Sequence, residues 1–530
     1  MTIAQYIASQ FHANGVKYVF GIPGGPSIPY IEAFRSSGIE FILTTGEAAA
    51  GIMAGVTAKL TGIPGVCHAT FGPGATNLAT GTGYAFLDRY PVLALTSEMD
   101  DIMIERTSQM NINHQKLFAP ITKATFRLSG ENAEEVIADS LNICQNEYPG
   151  PVHIGLPVGL ADMESRFTGL KRDFNYGSEA FGDRTEVMRI ISNSKKPLLA
   201  VGLTAARLGL QPKLIDFLNT RQIPVVITPM AKGILPENHR SYAGVLFHAL
   251  SSRLDEIISK ADLVIGLGYD PVEFNYESWM PDIPLVHFGT RLTDMPVSLR
   301  NVQYISDQNQ WFDILNSMKS GDQSDSLQSV QAVRKVMESA FLECRGHFGP
   351  VTAIRVLQEE LPEDAILTAD VGSHLHLAGQ FWETGGRNNL IMSNGWSGMG
   401  FGVPAALAAG IVRKPSAAAC ITGDGGFLMS AGEILTARRY NIPVKVIVFT
   451  DGEFNLIRLK KSWQGLTPYG TMLYSGDLFG ADTFFGVKVF RVETEHAMRK
   501  AVRESMLTDE PVILNAAIDP ADYDKLITKR

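Results

Sequence analysis

Two short clusters, Gly423-Asp424-Gly425-Gly426-Phe427 and Thr450-Asp451-Gly452-Glu453-Phe454-Asn455, carry the residue types needed to hold a divalent cation against a phosphate. Asp424 and Asp451 offer hard oxygen ligands to Mg²⁺, while glycine N–H groups and a helix N-terminus can receive phosphate oxygens. The run 417–422 reads as a buried strand, 427–440 as a helix and 444–450 as a second strand. Both clusters therefore fall at strand C-termini of one βαβ unit, where neighbouring parallel strands leave a crevice. A Gly-Asp-Gly-Gly turn alone is also ordinary turn chemistry. Asp451, 27 positions after Asp424 with a helix and a strand between, favours the metal-phosphate reading.

Other candidates lie earlier in the chain. Glu47 opens a very apolar helix, where a carboxylate either complements the helix dipole or does chemistry. His68 ends the strand before Phe71-Gly72-Pro73-Gly74; a lone His there is either a packed, hydrogen-bonded residue or an acid/base group. Gln109, His114 and Gln115 share the irregular segment 107–120. The motif 72–77 follows a strand and opens a helix, as a nucleotide loop or a tight turn would. Ser373 and His374, in the turn after the strand 365–369, could donate to phosphate or cap a helix. Met399 stands between Gly398 and Gly400, as core filler or as an apolar wedge.

Taken in order, these residues resemble the thiamine diphosphate enzymes. The resemblance implies that Asp424, Asp451 and the Glu453 carbonyl hold Mg²⁺, and that Gly425, Gly426, Asn455, Ser373 and His374 surround the cofactor diphosphate. It implies that Met399 props the cofactor into a V and that the Gly398 carbonyl accepts from its amino group. Glu47 would protonate the aminopyrimidine N1′, as a carboxyl group in a dry site can. His68 resembles an active-site His of the benzoylformate decarboxylases, and Gln109, His114 and Gln115 fall where the substrate-facing Gln or His of the family lies. Within the family, Asp451 and the stretch 268–279 resemble the flavin-free catabolic acetolactate synthases, so no FAD is expected. That group carries a Lys in the loop that here reads Gly25-Pro26-Ser27.

The expected activity is decarboxylation of a 2-oxo acid, pyruvate favoured, with carboligation to a second carbonyl. The alternatives are a simple 2-oxo acid decarboxylase, a lyase or carboligase on another acceptor, and a non-catalytic diphosphate-binding module. Active sites would lie between the subunits of a homodimer or homotetramer.

The 530 residues are too many for one core. Helix and strand signals alternate in three blocks, giving an α/β reading of three doubly wound parallel-sheet domains: 1–165 binding the pyrimidine, 185–318 in the centre and 345–530 binding the diphosphate. The run 166–183 reads as the exit from the first domain and 319–329 as a linker. Gly266-Leu267-Gly268 lacks the third glycine of a dinucleotide turn, and no catalytic constellation is read in the central block. The segment 456–474 is expected to form a mobile cover over the site. A net charge of −9 without a basic stripe argues against nucleic acid or anionic membrane as a partner. No stretch reaches the ~18 apolar residues of a membrane span. Four scattered cysteines without metal spacing, and an N-terminus without a signal-peptide pattern, point to a cytoplasmic protein.

Overall fold

The structure is a computed structural model that describes residues 1–165, 182–291, 302–319, 324–344, 346–414 and 416–529. It contains three sheets. The first has β1 Tyr18–Gly21, β2 Glu40–Leu43, β3 Gly65–Ala69, β4 Val92–Glu98, β5 Ala124–Arg127 and β6 Val152–Pro157, in the order β2-β1-β3-β4-β6-β5. The second has β7 Pro197–Val201, β8 Val225–Ile227, β9 Tyr242–Val245, β10 Leu263–Leu267, β11 Leu285–Phe288 and β12 Val302–Ile305, ordered β12-β11-β10-β7-β8-β9. The third has β13 Ile366–Ala369, β14 Leu390–Met392, β15 Ala418–Gly423, β16 Val444–Thr450, β17 Thr483–Phe484, β18 Val487–Val492 and β19 Val512–Ala517, ordered β14-β13-β15-β16-β19-β18-β17. Every pairing is parallel except β17 with β18.

The first and third sheets share one order once the β17 hairpin is set aside: second, first, third, fourth, last, next to last. Loops after corresponding strands therefore occupy corresponding places. Gly72, after β3, corresponds to Asp424 after β15, and Glu98, closing β4, corresponds to the Thr450-Asp451 corner after β16. The two domains also share a core: Phe20, Ile52 and Leu78 join Phe401, Leu407 and Val446 in one apolar cluster.

The helix Glu47–Thr61 is apolar on nearly every side, as a helix packed all round must be. Its neighbour Pro73–Leu87 approaches closely because glycines face each other; a Cβ on Gly51 would lie 2.7 Å from Gly81 Cα.

Two sequence expectations change. The helix expected over 427–440 is two helices, Asp424–Ser430 and Glu433–Arg439. At the break Thr45 approaches so closely that a Cβ on Gly432 would meet its Oγ1 at 2.7 Å. The expected linker 319–329 is helical from Ser324 onward, in Ser324–Leu342. Leu327, Val330, Val333 and Met337 bury one stripe, and the polar residues between them face outward. Residues 320–323, and 166–181 of the expected domain exit, lie outside the described residues. No helix among the described residues is long and apolar enough to cross a membrane.

Glu433 joins the two domains. Buried to 2% exposure, it accepts from Thr45 N–H (3.0 Å), Thr45 Oγ1 (2.6 Å) and Gly46 N–H (2.9 Å), and so fixes the turn that leads into the helix beginning at Glu47. Burial pushes its carboxyl above the usual range. Removing it strands these donors, so Glu433→Ala is expected to lose about 3 kcal/mol of stability, and Glu433→Gln less, in denaturant unfolding.

Candidate active site

The carboxyl ends of β13, β15 and β16 open into a cavity of about 380 Å³ lined from Val371 to Tyr523. Asp424, 3% exposed, sits at its floor at the start of its helix. Its Oδ1 accepts from Gly425 N–H (2.8 Å). Its Oδ2 accepts from Gly452 N–H (2.7 Å), Asp451 N–H (3.3 Å) and the Tyr474 hydroxyl (3.0 Å). Asp451 faces it across the strand ends. Burial, and then the charge of Asp424, push the Asp451 carboxyl up to about 7. Two carboxylates forced together in this way are relieved by a cation.

Polar atoms without partners surround the cavity. Ser373 Oγ and His374 Nε2 are buried with no hydrogen bond among the described residues. Arg458 Nε holds the Asn455 Oδ1 at 2.8 Å and leaves Nδ2 beside Asp451. Burial holds His374 near 4, so its ring is neutral. Ser373 and Asn455 can donate to phosphate oxygens, and His374, whose ring also bonds the Asp370 carbonyl, donates from Nε2 once a phosphate's charge holds the ring protonated. Glycines keep the floor open, because a Cβ on Gly425 would lie 2.4 Å from the Phe454 ring. These residues fit a metal-bound diphosphate: Asp424 and Asp451 for the cation, Ser373, His374 and Asn455 for the anion. The Glu453 side chain is engaged by Thr471 Oγ1 at 2.6 Å, and its carbonyl, which accepts Asn455 N–H at 2.9 Å, keeps a second lone pair.

Met399 lines the same cavity and is 36% exposed, a large apolar side chain left facing open space. Ser397, just before it, has φ +55°, a strained conformation for a residue with a Cβ. The surroundings impose it. Asp370 accepts from Gly400 N–H (3.0 Å), Phe401 N–H (3.3 Å) and Thr422 Oγ1 (3.0 Å). Asp88 of the first domain accepts from Gly395 N–H at 2.9 Å. The Gly398 carbonyl receives the Tyr84 hydroxyl.

Glu47 stands apart from this cavity. It is 8% exposed at the first turn of its helix; its Oε2 accepts from Asn77 Nδ2 at 3.2 Å, and its Oε1 lies 3.4 Å from the Cβ position of Gly74. His68 is buried, with Nε2 2.6 Å from Ser27 Oγ, and burial lowers it to about 4. His114 is buried with both ring nitrogens engaged, while Gln115 bonds Glu98 through Nε2 at 2.6 Å. Gln109 is exposed in the turn before them. The segment 456–474 begins as the helix Asn455–Ser462 and returns to pair Met472 with Glu453. The structure thus gathers Ser373, His374, Met399, Asp424, Asp451 and Asn455 in one place, and within one chain leaves Glu47, His68, Gln109, His114 and Gln115 off the cavity wall.

Three family models match in chain order. The N-terminal TPP binding domain of thiamine pyrophosphate enzymes covers residues 1–117, the central domain 184–306 and the C-terminal TPP binding domain 370–516. The chain belongs to the thiamine pyrophosphate enzyme family. It is 29% identical to a probable acetolactate synthase large subunit of Methanocaldococcus jannaschii, over 98% of this chain and 92% of that one. It is 27% identical to the acetolactate synthase isozyme 2 large subunit of Escherichia coli (98% and 96% covered) and to a catabolic acetolactate synthase of Raoultella terrigena (99% and 96%). It is a thiamine diphosphate-dependent enzyme close to the acetolactate synthases.

Sequence reasoning missed Tyr474, Asp370, Asp88 and Glu433. A buried Asp beside a Gly-rich turn was the only local signal for Asp370; the others act across long sequence separations. If Asp424 and Asp451 share a cation, Asp451→Ala takes away one hard oxygen and leaves the rest of the cavity, and Mg²⁺ affinity is expected to fall about tenfold or more in calorimetric titration. Excess Mg²⁺ should partly restore activity. Full activity in chelator-treated Asp451→Ala would contradict the metal assignment.

Proposed function

We propose that the enzyme decarboxylates a 2-oxo acid, pyruvate favoured, and joins the remaining fragment to a second carbonyl, giving 2-acetolactate when pyruvate is also the acceptor. The observation that carries this reading is the convergence of Asp424, Asp451, Ser373, His374 and Asn455 on the cavity that Met399 overhangs. The names of the acetolactate synthase relatives supply the choice of reaction. Bound thiamine diphosphate would supply a nucleophilic carbon and an electron sink for the decarboxylated fragment.

Each protein group has a task in this scheme. Asp424, Asp451 and the Glu453 carbonyl would hold Mg²⁺, and Ser373, His374 and Asn455 the diphosphate. Met399 would supply the apolar wall beside the bound cofactor. Glu47, nearly buried and held by the Asn77 amide, would pass a proton to and from the aminopyrimidine nitrogen. Because Glu47 is absent from the cavity wall of its own chain, the complete site takes Glu47 from a second copy, in a homodimer or homotetramer.

The central domain supports a flavin-free reading. At its switch point, the loops after β7 and β10 close on each other: Thr204 N–H reaches the Gly268 carbonyl at 2.9 Å, and a Cβ on Gly202 would lie 2.5 Å from Tyr269 Cα. Tyr269 and Tyr276 stack at 4.2 Å behind them. The four cysteines are buried free thiols, in keeping with a cytoplasmic enzyme.

A second reading, a 2-oxo acid decarboxylase or a carboligase on another acceptor, draws on buried His68 and on a first loop that reads Gly25-Pro26-Ser27 without a Lys. Incubation with pyruvate, Mg²⁺ and thiamine diphosphate separates the two. Acetolactate is expected; acetaldehyde alone at saturating pyruvate would favour the second reading. Glu47→Gln is expected to lower turnover by about 10²-fold or more, measured as pyruvate consumption.

A further inference from the structure

The first domain holds a buried hydrogen-bond chain at the place where the third domain holds Asp424 and Asp451. It runs between Gly72, after the third strand, and Glu98, at the end of the fourth. Its proton positions follow from one fact: the Gly72 N–H can only donate. It donates to His114 Nε2 at 3.3 Å, so neutral His114 carries its proton on Nδ1 and gives it to Thr96 Oγ1 at 2.8 Å. Thr96 then donates to His153 Nε2 (2.8 Å), and His153 Nδ1–H to Thr125 Oγ1 (2.7 Å). Thr125 donates to Gln115 Oε1, and Gln115 Nε2–H to Glu98 Oε1 at 2.6 Å. Arg127 closes the chain 3.1 Å from Glu98 Oε2.

The packing matches this single orientation. Phe118 stacks on His153 at 4.2 Å and 8°, and Gly155 leaves room for Glu98, since a Cβ there would lie 2.3 Å from Oε1. Burial keeps both histidines neutral. Glu98, His114 and His153 bring ligand atoms within 4.8 Å of one another, a spacing that also suits a metal. Thr96 Oγ1 already lies between the two imidazoles, and the Arg127 guanidinium pairs with Glu98 as an ion pair, so both histidines and the carboxylate are engaged without a metal.

The active end of the chain is the turn at Gly72. Gly72 has φ +61° and ψ −113°, a conformation for glycine alone, and it leads into Gly74 and Asn77, the two residues that meet Glu47. We infer that this chain is a positioning device for Glu47: His114 pins the Gly72 turn by accepting its N–H, and Thr96, His153, Thr125, Gln115 and Glu98 fix which nitrogen of His114 accepts. His114 and Gln115 are then positioning residues that act through Asn77 and Gly74. The inference rests on the proposed role of Glu47.

Thr96→Val removes the hydroxyl at nearly constant shape, and Thr96→Ser keeps it. Two readouts on the full-length protein separate this inference from the reading beneath it. The first is amide hydrogen exchange of peptides within 70–77, without cofactor: Thr96→Val should speed it about tenfold, and Thr96→Ser should match the parent. The second is deuterium exchange at C2 of bound thiamine diphosphate, read by NMR after acid quench. It should slow about 10²-fold in Thr96→Val at saturating cofactor and stay near parental in Thr96→Ser. If Thr96→Val does not fold, Thr125→Val and Thr125→Ser, two bonds further along, carry the same comparison.

Unchanged amide exchange in the Val variants would overturn the inference. So would equal damage in the Ser variants, which would make packing the cause, or a loosened turn with parental C2 exchange, which would uncouple it from Glu47. Absence of C2 exchange in the parent would instead refute the role of Glu47, while the amide readout still decides whether the chain pins the turn.

Discussion

Two carboxylates facing each other in a largely dry crevice set the terms for the rest of this structure. Burial, and then the charge of Asp424, raise the Asp451 carboxyl, so a charged Asp451 needs help there. The backbone N–H groups of Gly425, Asp451 and Gly452 and the Tyr474 hydroxyl supply part of the help, all aimed at Asp424. A cation would supply the remainder. The glycines at 425 and 426 follow from the same constraint, since side chains there would collide with Phe454 and with Asp370. Asp370 in turn ties the loop bearing Met399 to the strand that ends at Asp424.

The strand order that builds this crevice occurs twice, and the two copies resolve the same position differently. In the third domain, the loops after the third and fourth strands hold a pair of carboxylates suited to a metal. In the first domain the same place holds a chain of hydroxyls, imidazoles and one amide, ending in the ion pair of buried Glu98 with Arg127. A buried polar network is costly unless its members find partners, and here the hydrogen bonds from Gly72 to Glu98 Oε1 run in one orientation. The first domain thereby presents a rigid turn beside Glu47, and the third a polar cradle. Glu433 and Asp88 tie the domains together close to both features.

Much of this was legible in the sequence because its signals are local. Apolar runs and turn signals divided the chain into three α/β blocks and marked the strands 365–369, 417–422 and 444–450, and the spacing of Asp424 and Asp451 placed both at the mouth of one crevice. Strands such as Val152–Pro157 and Val512–Ala517 were not read. What was missed depends on contacts distant in sequence. The break at Gly432 sits against Thr45, almost 390 positions earlier, and the one local hint in 427–440, the glycine itself, is a residue that many helices tolerate. The helix Ser324–Leu342 was read as a linker at its start because the buried stripe begins only at Leu327. His114 and Gln115 were singled out as substrate-facing groups; their residue types suit that role, but only the fold places Thr96, His153 and Thr125 around them.

On the proposed reading, Glu47 and the Asp424 cradle act together across two copies of the chain. Subunit complementation decides this: Glu47→Gln and Asp424→Asn variants, each inactive alone, are unfolded together, refolded and assayed for pyruvate consumption. Random pairing makes half of the dimers mixed, each with one intact site, so activity should return to about a quarter of the parental value. No recovery in a refolded mixture shown to contain mixed dimers would contradict the account.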